Sequence, residues 1–203
     1  MRVLLALLLP LMLSACIDAD VTVAFTSETE VTTTGEMQMA RDLYDMLGKS
    51  VDEACPGGKG ALTDTTFSCT QTKTTTVEEL LARAPHTNQG TPEDLAAAAI
   101  ITRLENGNIQ VALDFSEMMR GQQGAEELKG LAKMMKLAAD GHNFTFHVTG
   151  PSIISTTGTL SDGGLTATKI IPISTFLDAK PDFGPAFVTE VGLTGSCFLW
   201  VFC

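Results

Sequence analysis

Five cysteines, three histidines and nine methionines are the side chains of this 203-residue chain best suited to covalent, acid–base or metal chemistry. Their spacing sorts them. Cys16 closes the stretch LSAC, with the small residues Ser14 and Ala15 before it and Leu13 three positions ahead. Arg2 and an apolar run over residues 3–13, broken by Pro10, lead into it. Such a run is too short to span a bilayer and has the build of a cleaved export signal. The four positions together fit a bacterial lipobox, in which Cys16 becomes the first residue and carries lipid on its thiol and its amine. Two or three acyl chains hold a protein on a membrane far more firmly than one, at about 0.8 kcal/mol per buried methylene. Residues 1–15 are therefore expected to be a lipoprotein signal peptide, with residues 16–203 left as the mature chain.

The other four cysteines, Cys55, Cys69, Cys197 and Cys203, form an even set, which in an exported chain reads as two disulfides. Four cysteines allow three connectivities. Cys55 to Cys69 is the favoured bridge because it closes a Gly-rich loop, CPGGKGALTDTTFSC. The segment CFLWVFC is apolar between its two ends. If extended, it would set Cys197 and Cys203 about 20 Å apart, beyond disulfide reach, so either it turns or each cysteine pairs elsewhere.

The search for a catalytic constellation returns little. No nucleophile elbow, phosphate-cradling Gly loop or zinc-type cysteine pairing is present, and the acidic residues fall on turns and helix starts, where they are expected anyway. His86 lies in a polar loop, and His142 and His147 flank a strand on its solvent side. The reading is of a chain that is not an enzyme and needs no cofactor. Met37 with Met39, Met118 with Met119, and Met134 with Met135 offer soft ligands for Cu(I), against a plainer role as core filler. Lys129, Lys133 and Lys136 share one helix face, short of the basic count that anionic lipid usually requires.

The elements that must position these residues are partly legible. Ala19, Val21, Val23 and Phe25 alternate with Asp18, Asp20 and Thr22, the period of a half-buried strand. A second strand carries Val31, Thr33, Gly35, Met37 and Met39 on one face and runs into a short helix with Leu43 and Leu47, stopped by Gly48. Thr76 and Glu79 form a capping-box pattern before another short helix, which Pro85 limits. The stretch AAIITRLENGNIQVALDF predicts a hairpin on a type I′ turn at Asn106 and Gly107, pairing Leu104 with Ile109, Thr102 with Val111, Ile100 with Leu113 and Ala98 with Phe115. Residues 125–139 predict an amphipathic helix with Leu128, Leu131, Ala132, Met135 and Ala138 on one stripe. Phe144, Phe146 and Val148 alternate along a strand, a hairpin is expected around Asp162 and Gly163, and residues 185–193 form a further strand.

Without Arg2 the chain carries 12 basic against 24 acidic residues, which disfavours nucleic acid as a partner and broad attraction to anionic headgroups. No internal repeat or long linker divides it. The expected architecture is a single α+β domain with a curved antiparallel sheet of about eight or nine strands and about three helices.

Two stretches, SACIDADVTVAFTSETEVTTTGEMQMARDLYDM and FTFHVTGPSIISTTGTLSDGGLTATKIIP, resemble the LppM-type bacterial lipoprotein domain. The resemblance covers about a third of the mature chain. It implies an α+β domain whose curved sheet encloses an apolar cavity and a lipid or envelope role without established enzymatic activity. A membrane-spanning C-terminal helix expected in some relatives is missing, and cysteines stand there instead. The expected function is thus a non-catalytic binding module for a lipid or other apolar ligand, with Leu128, Leu131, Ala132, Met135 and Ala138 lining its site. Two alternatives remain: a structural lipoprotein docking a protein partner, and a periplasmic copper-binding protein. Cys16 would tie the chain to the cell envelope. By analogy with a sorting rule, Ile17 in place of Asp after the lipidated cysteine favours the periplasmic side of the outer membrane if the cell has one.

Overall fold

Alternating sequence patterns become strands wherever one face finds apolar cover, and here they do so in two sheets. The structure, a computed structural model, describes residues 17–82, 99–120, 136, 139–178 and 180–193, with the side chains of 118–120 excepted. Strands β1 (Ile17–Phe25), β2 (Glu30–Ala40), β3 (Lys59–Leu62), β4 (Thr66–Thr76), β7 (Asn143–Thr149), β9 (Thr159–Leu160) and β10 (Thr166–Pro172) form a seven-stranded sheet in the order β3-β4-β2-β1-β7-β10-β9. Strands β5 (Ile100–Arg103), β6 (Ile109–Leu113), β8 (Ser152–Thr156) and β11 (Phe187–Gly192) form a four-stranded sheet in the order β5-β6-β11-β8. Five short helices are described: α1 (Arg41–Leu47), α2 (Val51–Ala54), α3 (Val77–Leu81), α4 (Phe115–Arg120) and α5 (Ile173–Phe176).

The α+β class holds, and the single curved sheet of eight or nine strands with about three helices is corrected to this pair of sheets. Nor is the larger sheet wholly antiparallel, since β1 pairs parallel with β7, setting Val21 beside Phe146. The expected hairpin around Asp162 and Gly163 is present between β9 and β10, with Gly164 N–H donating to the Ser161 carbonyl. What the sequence conceals is the break ahead of it. β8 leaves for the smaller sheet and pairs with β11, while β9 stays with β10. Gly158 sits at that crossing because a Cβ there would stand 2.5 Å from the Phe187 ring and from the Thr168 carbonyl oxygen. Only a residue without a side chain lets the chain pass.

One core joins the sheets. Val21, Val23, Phe25, Phe146 and Val148 from the larger sheet cluster with Ile109, Val111, Leu113, Phe187 and Val191 from the smaller. Phe146 meets Phe187 edge-on, their ring centres 5.6 Å apart. At one end Phe115, Phe144, Phe176 and Phe183 contact one another, as Phe115 does Phe144 at 5.5 Å and Phe176 does Phe183 at 5.0 Å. A satellite cluster of Met39, Tyr44, Cys55, Phe67 and Cys69 lies at the far edge of the larger sheet, with Tyr44 stacked on Phe67 at 4.5 Å.

Local chemistry accounts for the element ends. Gly48 terminates α1 in the left-handed conformation at φ 61°, as its position predicts. The capping box of Thr76 and Glu79 is present at α3, and a second one joins Ser50 and Glu53 at α2. Ser50 donates from its backbone N–H and its hydroxyl to the Glu53 carboxylate, which holds that carboxyl below its ordinary range. Asp114 accepts from the Ser116 and Glu117 N–H groups, so Phe115 begins α4 and does not extend the preceding strand as expected.

The hairpin of β5 and β6 forms one residue out of its expected register. Arg103 pairs with Ile109, Thr102 with Gln110 and Ile101 with Val111. The loop takes three residues instead of two: Gly107, at φ 84°, donates to the Leu104 carbonyl, and Leu104 donates to Asn108. Asn106 Oδ1 accepts from the Asn108 N–H, and both Asn106 and Asn108 donate their side-chain amides to Glu190 on β11. Those bonds fix the longer loop. A one-residue slip exchanges faces: Ile101 is half-buried and Ile100 is 54% exposed, whereas β6 keeps Ile109, Val111 and Leu113 buried as expected.

The stretch CPGGKGALTDTTFSC, expected to be loop, contains β3 and the start of β4. β4 pairs along its whole length with β2, from Thr66 opposite Ala40 to Thr76 opposite Glu30. Its inward residues Phe67, Cys69 and Gln71 are followed only by Lys73 and Thr75, so apolar alternation is brief, and Thr supplies the β-branched preference that the pattern lacks. The Cys55–Cys69 disulfide is formed, with Cα atoms 5.5 Å apart.

Candidate functional site

The outer face of the seven-stranded sheet follows from parity alone. Because paired residues in neighbouring strands share a face, every residue opposite Asp18, Asp20, Thr22 or Ala24 points away from the core. One row runs Thr166, Thr149, Ala24, Thr32 and Thr74; the next runs Thr168, His147, Thr22, Thr34 and Thr72. A third runs Ile170, Thr145, Asp20, Glu36 and Thr70. Hydroxyls close ladders across it, Thr32 to Thr74 at 3.0 Å and Thr149 to Thr166 at 3.1 Å. An open groove of about 270 Å³ crosses this platform, lined by Asp18, Asp20, Glu36, Gln38, Ser68, Thr70, Asn143 and Thr145 among others.

Two carboxylate–imidazole pairs stand at the groove side. Asp18 meets His142 Nδ1 at 2.8 Å through one oxygen, and through the other accepts the Asn143 N–H at 2.9 Å. Asp20 meets His147 Nε2 at 3.1 Å, and His147 Nδ1 meets the Thr168 hydroxyl at 2.8 Å. Thr168, His147 and Asp20 thus form a hydroxyl–imidazole–carboxylate chain, which can relay a proton. It lies flat on a sheet interior, where β10 is laddered to β7 on one side and to β9 on the other. Backbone N–H groups of laddered strands lie in the sheet plane, whereas an oxyanion hole aims its donors at one point. What the arrangement does do is tie β1, β7 and β10 together on their polar face and present donors and acceptors to a polar surface. Sequence reading placed both histidines on the solvent side but missed their partners, because Asp18 and His142 are 124 residues apart and meet only through the parallel pairing.

Of the expected site residues, Cys55 and Cys69 are joined. Cys16, Cys197 and Cys203 lie outside the described residues, as do Leu128, Leu131, Ala132, Met135 and Ala138. Within the lysine trio only Lys136 is described, and it pairs with Asp178, so its charge is not an unpaired one. Met39 is buried and Met37 half-buried at the satellite core, where both pack against its other residues. Among the described residues no three His, Cys, Asp or Glu side chains gather as a metal site. In the smaller sheet, the Asn108 and Asn106 amides hold the Glu190 carboxyl below its ordinary range.

No protein-family model matches this chain, and neither does any curated protein. Among solved structures, the NMR structure of the folded domain of the Mycobacterium tuberculosis LppM protein is similar, with a TM-score of 0.44 and 12% identity, covering 87% of this chain and 88% of that one. The relationship is structural and distant.

Proposed function

We propose that this chain is a bacterial lipoprotein, held at the cell envelope through Cys16, whose domain is a non-catalytic binding module for a lipid or other apolar ligand. Two features support export: the LSAC motif at the end of an apolar leader, and the Cys55–Cys69 disulfide, a bond that persists in oxidising compartments. The ligand class rests on one observation, the four-ring cluster of Phe115, Phe144, Phe176 and Phe183. The chain that follows the Leu128, Leu131, Ala132, Met135 and Ala138 stripe rejoins the fold beside it. Lys136 pairs with Asp178 just beyond α5, and the His142 carbonyl accepts the Ile173 N–H at the start of α5. An apolar ligand of the expected kind would lie against these rings.

Native mass spectrometry of the detergent-extracted chain tests this reading, with copurifying lipid the expected result. Ala132→Leu or Ala138→Leu should lower that lipid without a comparable fall in unfolding midpoint, because added bulk fills a cavity. In a close-packed core the same change would cost about 1–3 kcal/mol. Destabilisation by both substitutions, with no lipid on the parent, would refute it.

The polar groove favours a second reading, a structural lipoprotein that docks an envelope protein through the outer face of the larger sheet. Thr34→Arg and Gln38→Arg, both on that face, should then abolish copurification of a partner while the domain stays folded. Unchanged recovery of that partner would exclude the groove as its docking site.

A further inference from the structure

We propose that the end of the domain at which β1 begins is itself a membrane-contacting surface, seated in the interfacial layer of the bilayer through Ile17, Met46, Leu47 and Leu62. The inference rests on the tethering reading above and adds that the folded domain lies down on the membrane in place of hanging free from its lipid.

Register brings the four residues to one end. Ile17 pairs with Met39, Met39 with Phe67 and Phe67 with Leu62, a single row across four strands on the core face. The middle of the row is covered, since Phe67 lies under Tyr44 of α1. Its two ends are not: Ile17 is 36% and Leu62 37% exposed. α1 starts at the same place, its Arg41 N–H bonded to the Thr65 carbonyl in the turn between β3 and β4. A seven-residue helix is only about 10 Å long, so Met46 and Leu47 stay near this row. They are 74% and 48% exposed, the two large apolar side chains that α1 leaves outside the satellite core. Exposed single hydrophobes are ordinary, but a group of four at one end is a surface for something apolar.

The occupant follows from covalent connection. Ile17 is bonded directly to Cys16, so acyl chains on Cys16 leave the protein at this row and at no other part of the domain. The remaining charges here are mixed. Arg41 pairs with Asp45 on α1, and the other charged residues of the stretch from α1 to the turn after β3 are Asp42, Lys49, Asp52, Glu53, Lys59 and Asp64. Contact is therefore apolar and does not depend on anionic headgroups, unlike adsorption through a basic patch.

The test uses the full lipidated chain in phosphatidylcholine vesicles whose acyl chains carry bromine, a quencher of Trp fluorescence. Trp200 is the sole tryptophan, so Trp200→Phe gives a dark background. Into it go Met46→Trp, at the proposed surface, and Leu165→Trp, at the opposite end of the sheet. Leu165 is 48% exposed, and its carbonyl accepts the N–H of Gly150, next after β7, whose last residue pairs with Ala24 about 25 Å from the Ile17 end. The expected result is quenching of the tryptophan at 46 at least severalfold greater than at 165, unchanged in 0.5 M salt and without anionic lipid. Slowed hydrogen exchange over residues 41–47 on reconstitution gives the same answer without substitutions. Equal quenching at the two positions, with mass spectrometry showing lipid on Cys16, would overturn the inference while leaving the tether intact. An unmodified Cys16 in protein that washes off the vesicles would overturn both.

Discussion

Replacing Cys55 and Cys69 together by Ala should lower the free energy of unfolding by about 3 kcal/mol, the chain-entropy value for a closed loop of this size. The two cysteines are 14 positions apart, and both are buried, at 3% and 5% exposure. Most of the effect acts on the unfolded chain, which regains the freedom of the Gly-rich segment between them. The folded state should change little, because β4 keeps its ladder to β2 and β3 keeps its pairs with β4. For a chain of this length, about 3 kcal/mol corresponds to a fall in Tm of about 6–12 °C. Urea unfolding of the detergent-solubilised double variant, with and without reductant, is the assay. Parent protein under reductant should approach the variant, and the variant should not respond to reductant. A double variant with the parent's midpoint would refute the reasoning, since the bond would then be constraining nothing that the chain has to lose.

Three further outcomes follow from other parts of the fold. Phe146→Ala should cost about 3–5 kcal/mol in denaturant unfolding, and a double-mutant cycle with Phe187 should show about 0.5–1.5 kcal/mol of coupling from their edge-on contact; additive effects would deny that contact. Glu190, held below its ordinary value by Asn108 and Asn106, contributes stability that is present above the unfolded pKa and lost as pH falls through the depressed folded one. Glu190→Gln should therefore flatten the acid side of the stability–pH curve, and an unaltered slope would count against this account. Cys16→Ala should leave the chain unlipidated and in the wash of a membrane preparation, whereas recovery in the washed pellet would contradict the tether.

How much of this was legible in the sequence depended on where each partner lay. β1, β2 and β7 were plain because Val21, Val23, Phe25, Val31, Phe144, Phe146 and Val148 alternate with polar neighbours, and burial follows that alternation. The Cys55–Cys69 bridge was legible from local spacing. The second sheet was not, because nothing in SIISTTGTL marks where the chain changes sheets except Gly158, whose need for space comes from Phe187 far along the chain. The hairpin at Asn106 slipped by one residue because Glu190, on another strand, draws both asparagines to itself. The two Asp–His pairs share this cause: their residues were visible, and the pairing that joins them is a property of topology. The short helices α2 and α5, at four residues each, show no period at all.

The parallel pairing of β1 with β7 also orders events in time. Residues 17–76 contain β1 to β4 and can ladder together as soon as they are free to fold, with Asp18 and its neighbours still 125 residues from Asn143 and the strand it begins. Until that later stretch arrives, the free edge of β1 exposes the backbone of a strand bearing Val21, Val23 and Phe25, an open template for pairing with other chains. Contacts this distant in sequence also close slowly. A chain delivered amino-terminus first must therefore carry an unfinished sheet until residues 143–149 arrive, and under the proposed export, factors that shield strand edges are those whose loss should reduce its yield most.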